Sequence, residues 1–210
     1  MPVDGLQYPV NLILAGKPCL VVGGGPVAAR KAAGLLACGA DVHVIAAVPG
    51  PEVSALAVSI EPRPYQSGDV AGYRLVIAAT DDPDTNHAIY READAAGTWV
   101  NSADDPAACT FTLPSIVRRG PVMVTVSTGG RSPALATWLK GRFEGCIGPE
   151  FEVLVELLSS AREDIKAAGR STEHADWQRL LDSDILDLVK SGQVGLARER
   201  LQTWLSSSSD

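Results

Sequence analysis

The chain has 210 residues and is 46% hydrophobic, enough to bury a full core and to form one large domain beside a smaller one. A formal charge of −7 argues against a general nucleic-acid binder, and no apolar run approaches the ~20 residues of a membrane span. The amino terminus lacks a basic region followed by an apolar signal segment, so cytoplasmic residence is the default expectation, and Cys19, Cys38, Cys109 and Cys146, with no C-x-x-C pair, read as reduced thiols.

In chain order, Cys19 to Val22 reads as a short apolar strand that feeds Gly23, Gly24 and Gly25. An alanine- and leucine-rich helical stretch, Val27 to Cys38, follows, with Gly39 able to close it in the left-handed region. Asp41 to Ile45 reads as a second buried strand, so a complete βαβ unit surrounds the glycines. Together these form a dinucleotide-binding turn of the G-x-G-x-x-A kind. Gly23 allows the tight turn, Gly25 lets the backbone approach a pyrophosphate, and Ala28 permits close packing of helix on sheet. The phosphates are expected over the helix start at Pro26 and Val27, where unpaired N–H groups and the positive dipole end favour an anion. Proline suits that first turn although it withdraws one donor. A glycine triplet alone is as often only a turn; the flanking strand and helix favour a nucleotide site.

One expected residue is missing. NAD-binding folds commonly carry Asp or Glu about 20 residues on, to hold the ribose hydroxyls, but here the strand ends Ile45, Ala46, Ala47, Val48. Backbone groups of Ala47 and Val48 are therefore expected at the ribose. No arginine stands at the tip to favour a 2′-phosphate, so NAD is preferred over NADP.

Leu75 to Ala79 reads as another buried strand, ending in Thr80, Asp81 and Asp82, with a helical stretch from Pro83 to Ala96. Trp99 and Val100 start a further strand that runs into Asn101, Ser102, Ala103, Asp104, Asp105 and Pro106. This alternation indicates a parallel sheet, whose ligands bind beyond the carboxyl ends of its strands. Thr80, Asp81 and Asn101 to Asp105 are thus expected on the same rim as the glycines. Asp81 and Asp82 have a plainer use as caps for the helix at Pro83. Asp104 and Asp105 precede no clear helix; a carboxylate there can act as general acid or base beside a nicotinamide, against the plainer reading of an Asx-type turn before Pro106.

Charge is unevenly spread. Residues 1–114 carry a net −6, residues 115–145 a net +4, and residues 149–210 a net −5. The basic island contains Arg118, Arg119, Arg131, Lys140 and Arg142, and suits either a solvated helix face or a small polycarboxylate. Val122 to Val126 reads as a strand, and Ala134 to Phe143 as a helix. Between them, Ser127, Thr128, Gly129, Gly130, Arg131 and Ser132 form a second candidate anion site, in which Ser132 also serves as N-cap ahead of Pro133. Beyond Gly145 to Pro149, helical spacing is read over Glu150 to Ala167, Trp177 to Lys190 and Val194 to Trp204. Trp177 and Trp204 read as core or interface aromatics, and the SSSSD tail as disordered.

The segments YPVNLILAGKPCLVVGGGPVAARK, LVIAATDD followed by Asn86, VNSADDPAACTFTLPSIVRRGPV and VSTGGRSPALA, in this order over about residues 8–145, resemble the precorrin-2 dehydrogenase / sirohydrochlorin ferrochelatase family, the amino-terminal part of siroheme synthases. The resemblance implies an α/β fold: a Rossmann-like NAD-binding domain over 1–113, a mixed α/β dimerisation and substrate-binding segment over 114–148, and a small helical domain over 149–210. It implies NAD-dependent oxidation of precorrin-2 to sirohydrochlorin on a homodimer. Asp104 becomes the general base, with Asp105 a neighbour able to raise its pKa by repulsion. Asn101, Arg118, Arg119, Ser127, Thr128, Gly129, Arg131 and Ser132 become candidates for binding a substrate with eight carboxylates.

Some members of the family also insert ferrous iron into sirohydrochlorin and others only oxidise. Both remain open here, since His43, His87 and His174 have no metal-ligand spacing and iron would be a substrate. The sequence ends before any methyltransferase domain, so the fused three-activity form is not expected. Cys109 reads as structural. Two other classes stand beside this reading: a Rossmann module that senses a nucleotide without chemistry, and a dehydrogenase for another small anion.

Overall fold

The computed structural model describes residues 5–171 and 176–207. His174 and residues 208–210 lie outside the described residues, while Ser206 and Ser207, the first two residues of the SSSSD tail expected to be disordered, are helical. The chain divides into two compact units. One takes the chain up to Leu113 together with Thr128–Ser132, and the other takes Pro114–Ser127 and the chain from Pro133 on.

The first unit is a five-stranded sheet of β1 (Pro18–Val22), β2 (Asp41–Ile45), β3 (Ser59–Glu61), β4 (Leu75–Ala78) and β5 (Trp99–Ser102), all parallel, in the order β3-β2-β1-β4-β5. This is the Rossmann-like α/β arrangement, with its switch point between β1 and β4. Helices cover both faces, which is why the central strands read as unbroken apolar runs rather than alternating ones. On one face Cys19 and Val21 of β1 pack with Val42, Val44, Leu75 and Ile77 beneath α1 (Pro26–Leu36), through Ala28, Ala29, Ala32 and Leu35. On the other, Leu20 and Val22 pack with Val76, Ala78 and Val100 beneath Ile89 and Ala93 of α3 (Pro83–Ala95). Ala28 is fully buried, as its place in the glycine motif requires.

Two short elements, α2 (Pro51–Ser54) and β3, have no counterpart in the sequence reading. Beside β3 lies a polar cluster: Arg63 grips Asp69 with both terminal nitrogens, at 2.7 and 2.9 Å, and Glu61 with Nε at 2.8 Å.

In the second unit, β6 (Ser115–Arg119) and β7 (Val122–Val126) form an antiparallel hairpin turned at Gly120, whose φ of 52° favours glycine. Strand β6 went unread because two of its five residues are arginines. α4 (Pro133–Cys146) packs on this hairpin. Then come α5 (Glu150–Ala167), α6 (Trp177–Leu181), α7 (Ile185–Lys190) and α8 (Val194–Ser207). The single helix expected over Trp177 to Lys190 is two helices. Ser183 breaks it by donating its hydroxyl to the Leu180 carbonyl at 2.6 Å and accepting the Ile185 N–H at 3.3 Å. The helical core gathers Leu154, Leu157, Ala161, Ile165, Leu180, Ile185, Val189 and Leu201, with Trp204 packed 4.8 Å from Trp177 between ring centres.

Candidate functional site

The carboxyl ends of β1, β2, β4 and β5 share one rim, and the chain leaving them folds together there. Gly23 donates its N–H to the Ile45 carbonyl at 2.9 Å and has a φ of 138°. A Cβ at Gly23 would lie 2.1 Å from the Ala79 carbonyl oxygen, and one at Gly24 would lie 2.2 Å from that of Val48. Gly50 N–H also donates to the Gly24 carbonyl at 2.9 Å, so the Ala47–Val48 loop is tied to the turn.

Gly25 differs from both. Its φ is −85°, and a Cβ there would meet nothing within 4 Å. It is the N-cap of the 11-residue α1 and offers no side-chain cap, so the helix start keeps unpaired N–H groups facing open space, with Pro26 at the first position. That is a cradle a diphosphate fits and a side chain would fill.

Thr80 and Asp81 follow β4. The Thr80 backbone N–H donates to Asn86 Oδ1 at 3.2 Å and its hydroxyl lies 2.8 Å from the same atom, while Asn86 Nδ2 donates to the Thr80 carbonyl at 3.0 Å. Asn86, buried on α3, therefore shapes this bend; the signal for it was a polar residue three before the buried Ile89 on the helix. Asp82 is the cap of α3, accepting from the N–H groups of Asp84 and Thr85 at 3.2 Å each, and the Thr85 hydroxyl and these amides hold its carboxyl below the usual range. Asp81 is exposed at the rim and makes no hydrogen bond among the described residues.

After β5, Ala103 N–H donates to the Ala78 carbonyl at 2.9 Å, holding the next residues at the rim. One expectation is corrected here, that Asp105 precedes no helix. Asn101, assigned to substrate, is 7% exposed; its Nδ2 donates to the Phe111 carbonyl at 3.0 Å and to Cys109 Sγ at 3.4 Å, so its amide secures the returning chain. Asp105 does precede a helical element, a 3-10 turn over Pro106–Ala108, which it caps by accepting the Ala107 N–H at 2.9 Å. Its other oxygen faces His87 Nε2 at 3.1 Å, a contact absent from the sequence reading.

Asp104 is exposed, and its carboxylate makes no hydrogen bond or ion pair among the described residues. Lys31 of α1 feels the charge of Asp104: burial and then Arg30 draw the amine's pKa down, and the Asp104 carboxylate opposes them. The Cys109 thiol donates towards the Asp105 carbonyl at 3.2 Å and accepts the Ser102 N–H at 3.3 Å, with its pKa pushed up by burial. Ser102 is 4% exposed, and its Oγ is buried without a partner among the described residues.

The remaining candidates lie elsewhere in the chain. Arg118 and Arg119 are neighbours on β6, in the second unit, and successive strand residues point to opposite faces. Arg118 Nη2 donates to Met123 Sδ at 3.1 Å, and Arg119 Nη1 to the Arg118 carbonyl at 2.9 Å. Ser127 follows β7. Thr128 to Ser132 form a turn, in which Thr128 Oγ1 accepts the Ser132 N–H at 3.1 Å and the Thr128 carbonyl accepts the Arg131 N–H at 3.1 Å. Gly129, at a φ of 60°, requires the left-handed region glycine supplies. No group of three or more His, Cys, Asp or Glu suited to a metal occurs among the described residues, and no helix of the described chain is long and apolar enough to cross a membrane.

The family described as "Putative NAD(P)-binding" matches residues 10–115. A siroheme synthase of Thioalkalivibrio sulfidiphilus is 39% identical over 209 residues, covering 97% of this chain and 43% of that protein. A siroheme synthase of Methylococcus capsulatus is 41% identical over 193 residues, covering 89% of this chain and 40% of that protein. The chain thus spans about two fifths of the length of these relatives. Among solved structures, one titled "SirC, precorrin-2 dehydrogenase" has the same fold, with a TM-score of 0.71 and 23% identity over 96% of this chain and 98% of that one.

Proposed function

The chain belongs to the NAD(P)-binding family, and from that membership we propose that it is a dehydrogenase that oxidises precorrin-2 to sirohydrochlorin with NAD as acceptor. The observation that carries the reading is a free carboxylate, Asp104, on the rim that also holds an open glycine turn. Asp105, the other acid of the pair, is already occupied as a cap and as the partner of His87. Relatives named siroheme synthase over nearly the whole chain supply the substrate class.

Gly25 and the N–H groups at the start of α1 would hold the diphosphate, and Ala47 and Val48 would meet the adenosine ribose through their backbone. With no carboxylate at the end of β2 to repel a 2′-phosphate, NAD is proposed as the preferred cofactor because no free arginine is there to reward that phosphate either; Arg63, just past β3, is engaged by Asp69 and Glu61. NAD supplies the hydride acceptor. Asp104 takes the proton released from the substrate as its carbon framework is oxidised, so that precorrin-2 and NAD give sirohydrochlorin, NADH and one proton. Arg118, Arg119 and Arg131, with Ser127, Thr128, Gly129 and Ser132, are the proposed contacts for the substrate carboxylates.

We assign the homodimer to α4. Of its fourteen residues only Ala136 is buried, while Leu135, Trp138 and Phe143 are exposed. An apolar helix face of this kind suits a second copy of the chain.

Anaerobic absorbance on mixing the chain with precorrin-2 and NAD, then with NADP, tests the proposal. NADH and sirohydrochlorin appear together, faster with NAD. If NAD binds and precorrin-2 is left unchanged, the nucleotide-sensing reading takes its place. Ferrous iron added to the completed reaction decides whether insertion into sirohydrochlorin follows.

A further inference from the structure

We propose that His87 is a positioning residue for Asp104, clamping the segment that carries it to α3 through Asp105. This rests on the reading of Asp104 as the base.

The Asp104 side chain makes no hydrogen bond, so its location follows from the backbone of the 102–109 segment alone. That segment is bound on its inner side by Cys109, whose sulfur accepts from the Ser102 N–H and from Asn101 Nδ2 and donates towards the Asp105 carbonyl. On its outer side one side-chain contact of imidazole and carboxylate joins it to a helix among the described residues: His87 Nε2 to Asp105 Oδ2 at 3.1 Å. Asp105 thereby uses both oxygens, one on the Ala107 N–H inside its own turn and one on α3. Residue 104 sits between this clamp and the Ala103–Ala78 hydrogen bond. Release of the outer tie leaves the turn held on one side only, and a base displaced by about 1 Å can lose up to ~100-fold in rate.

The pair is half-exposed, with side-chain exposures of 53% for His87 and 38% for Asp105, so its worth to stability is small and its removal leaves the fold intact. A merely structural pair would alter melting and leave turnover alone. A positioning pair does the reverse. The glycine turn is built by other residues, so affinity for NAD is independent of it.

The test compares full-length wild type with His87→Leu, His87→Gln, Asp105→Asn, the double variant His87→Leu with Asp105→Asn, and Asp104→Ala. Each is assayed anaerobically with precorrin-2 and NAD. His87→Leu is expected to lower kcat about 10-fold with KM for NAD unchanged. His87→Gln keeps an N–H donor and regains most of the rate. The double variant is no slower than His87→Leu, because both changes cut the same tie. A kcat for His87→Leu within about two-fold of wild type, while Asp104→Ala is inactive, overturns the clamp and leaves the base assignment standing. Wild-type turnover by Asp104→Ala removes the base assignment itself, and the clamp falls with it.

Discussion

Gly23 and Gly25 lie two residues apart and differ in what a single methyl group would do, so Gly25→Ala and Gly23→Ala separate binding from folding. At Gly25 the added Cβ meets nothing within 4 Å and the φ of −85° suits any residue. The loss of a good N-cap, at most about 1 kcal/mol, is offset by the entropy alanine removes from the unfolded chain, about 0.4–1 kcal/mol. Melting should shift by less than about 4 °C. The methyl group nevertheless occupies the space a diphosphate needs. Loss of one charge-assisted hydrogen bond, about 1.5–3 kcal/mol, weakens NAD binding by roughly 10-fold to 150-fold.

Gly23→Ala behaves in the opposite order. Its Cβ would lie 2.1 Å from the Ala79 carbonyl oxygen at a φ of 138°. Overpacking and backbone strain cost about 1–3 kcal/mol each, which lowers melting by roughly 5–20 °C. The assay is thermal unfolding of each variant with and without NAD, together with calorimetric titration of the cofactor. Wild-type NAD affinity in Gly25→Ala would refute the diphosphate assignment, and wild-type melting in Gly23→Ala would refute the close approach of the turn to β4.

Three further outcomes follow from the same geometry. The Arg63 guanidinium beside Asp69 holds that carboxyl below its usual range, so the pair stabilises fully above the unfolded value of about 3.9 and loses that contribution as pH falls through the lower folded value; Asp69→Asn should flatten the acid limb of a plot of unfolding free energy against pH, and an unchanged limb would count against it. Trp138→Glu places a charge on the exposed face of α4 and should convert the proposed dimer to monomer in sedimentation velocity without loss of secondary structure, whereas a wild-type dimer whose sedimentation coefficient is unaltered by the change would exclude this helix from the interface. Cys38 is exposed, while Cys19 is fully buried with its thiol pushed up to about 11 by burial. An aromatic disulfide reagent should therefore modify Cys38 quickly and Cys19 only after denaturation, and rapid labelling of Cys19 in the native chain would contradict the packing of β1.

The Rossmann-like sheet was legible because its strands are buried on both faces and write themselves as apolar runs between glycine and proline breaks. β1, α1 and β2 sit where Cys19 to Val22, Val27 to Cys38 and Asp41 to Ile45 place them, to within two residues. β3 is three residues at a sheet edge and β6 is rich in arginine, so neither offers such a run. The break between α6 and α7 depends on one hydroxyl, Ser183, inside an otherwise helical pattern. Within the site, local chemistry was readable and long-range pairing was not. Asp82 as a cap follows from its place before Pro83. The partner of Asn101, the Phe111 carbonyl, lies ten residues on, and nothing local links His87 to Asp105, eighteen residues away.

The central claim, that Asp104 is the base of an NAD-dependent oxidation, is tested most directly by Asp104→Ala beside wild type in one anaerobic experiment with precorrin-2 and NAD. The account predicts equal molar yields of NADH and sirohydrochlorin from wild type, and neither from a variant that still binds NAD and melts like the parent. Product formation by Asp104→Ala at the wild-type rate would contradict it.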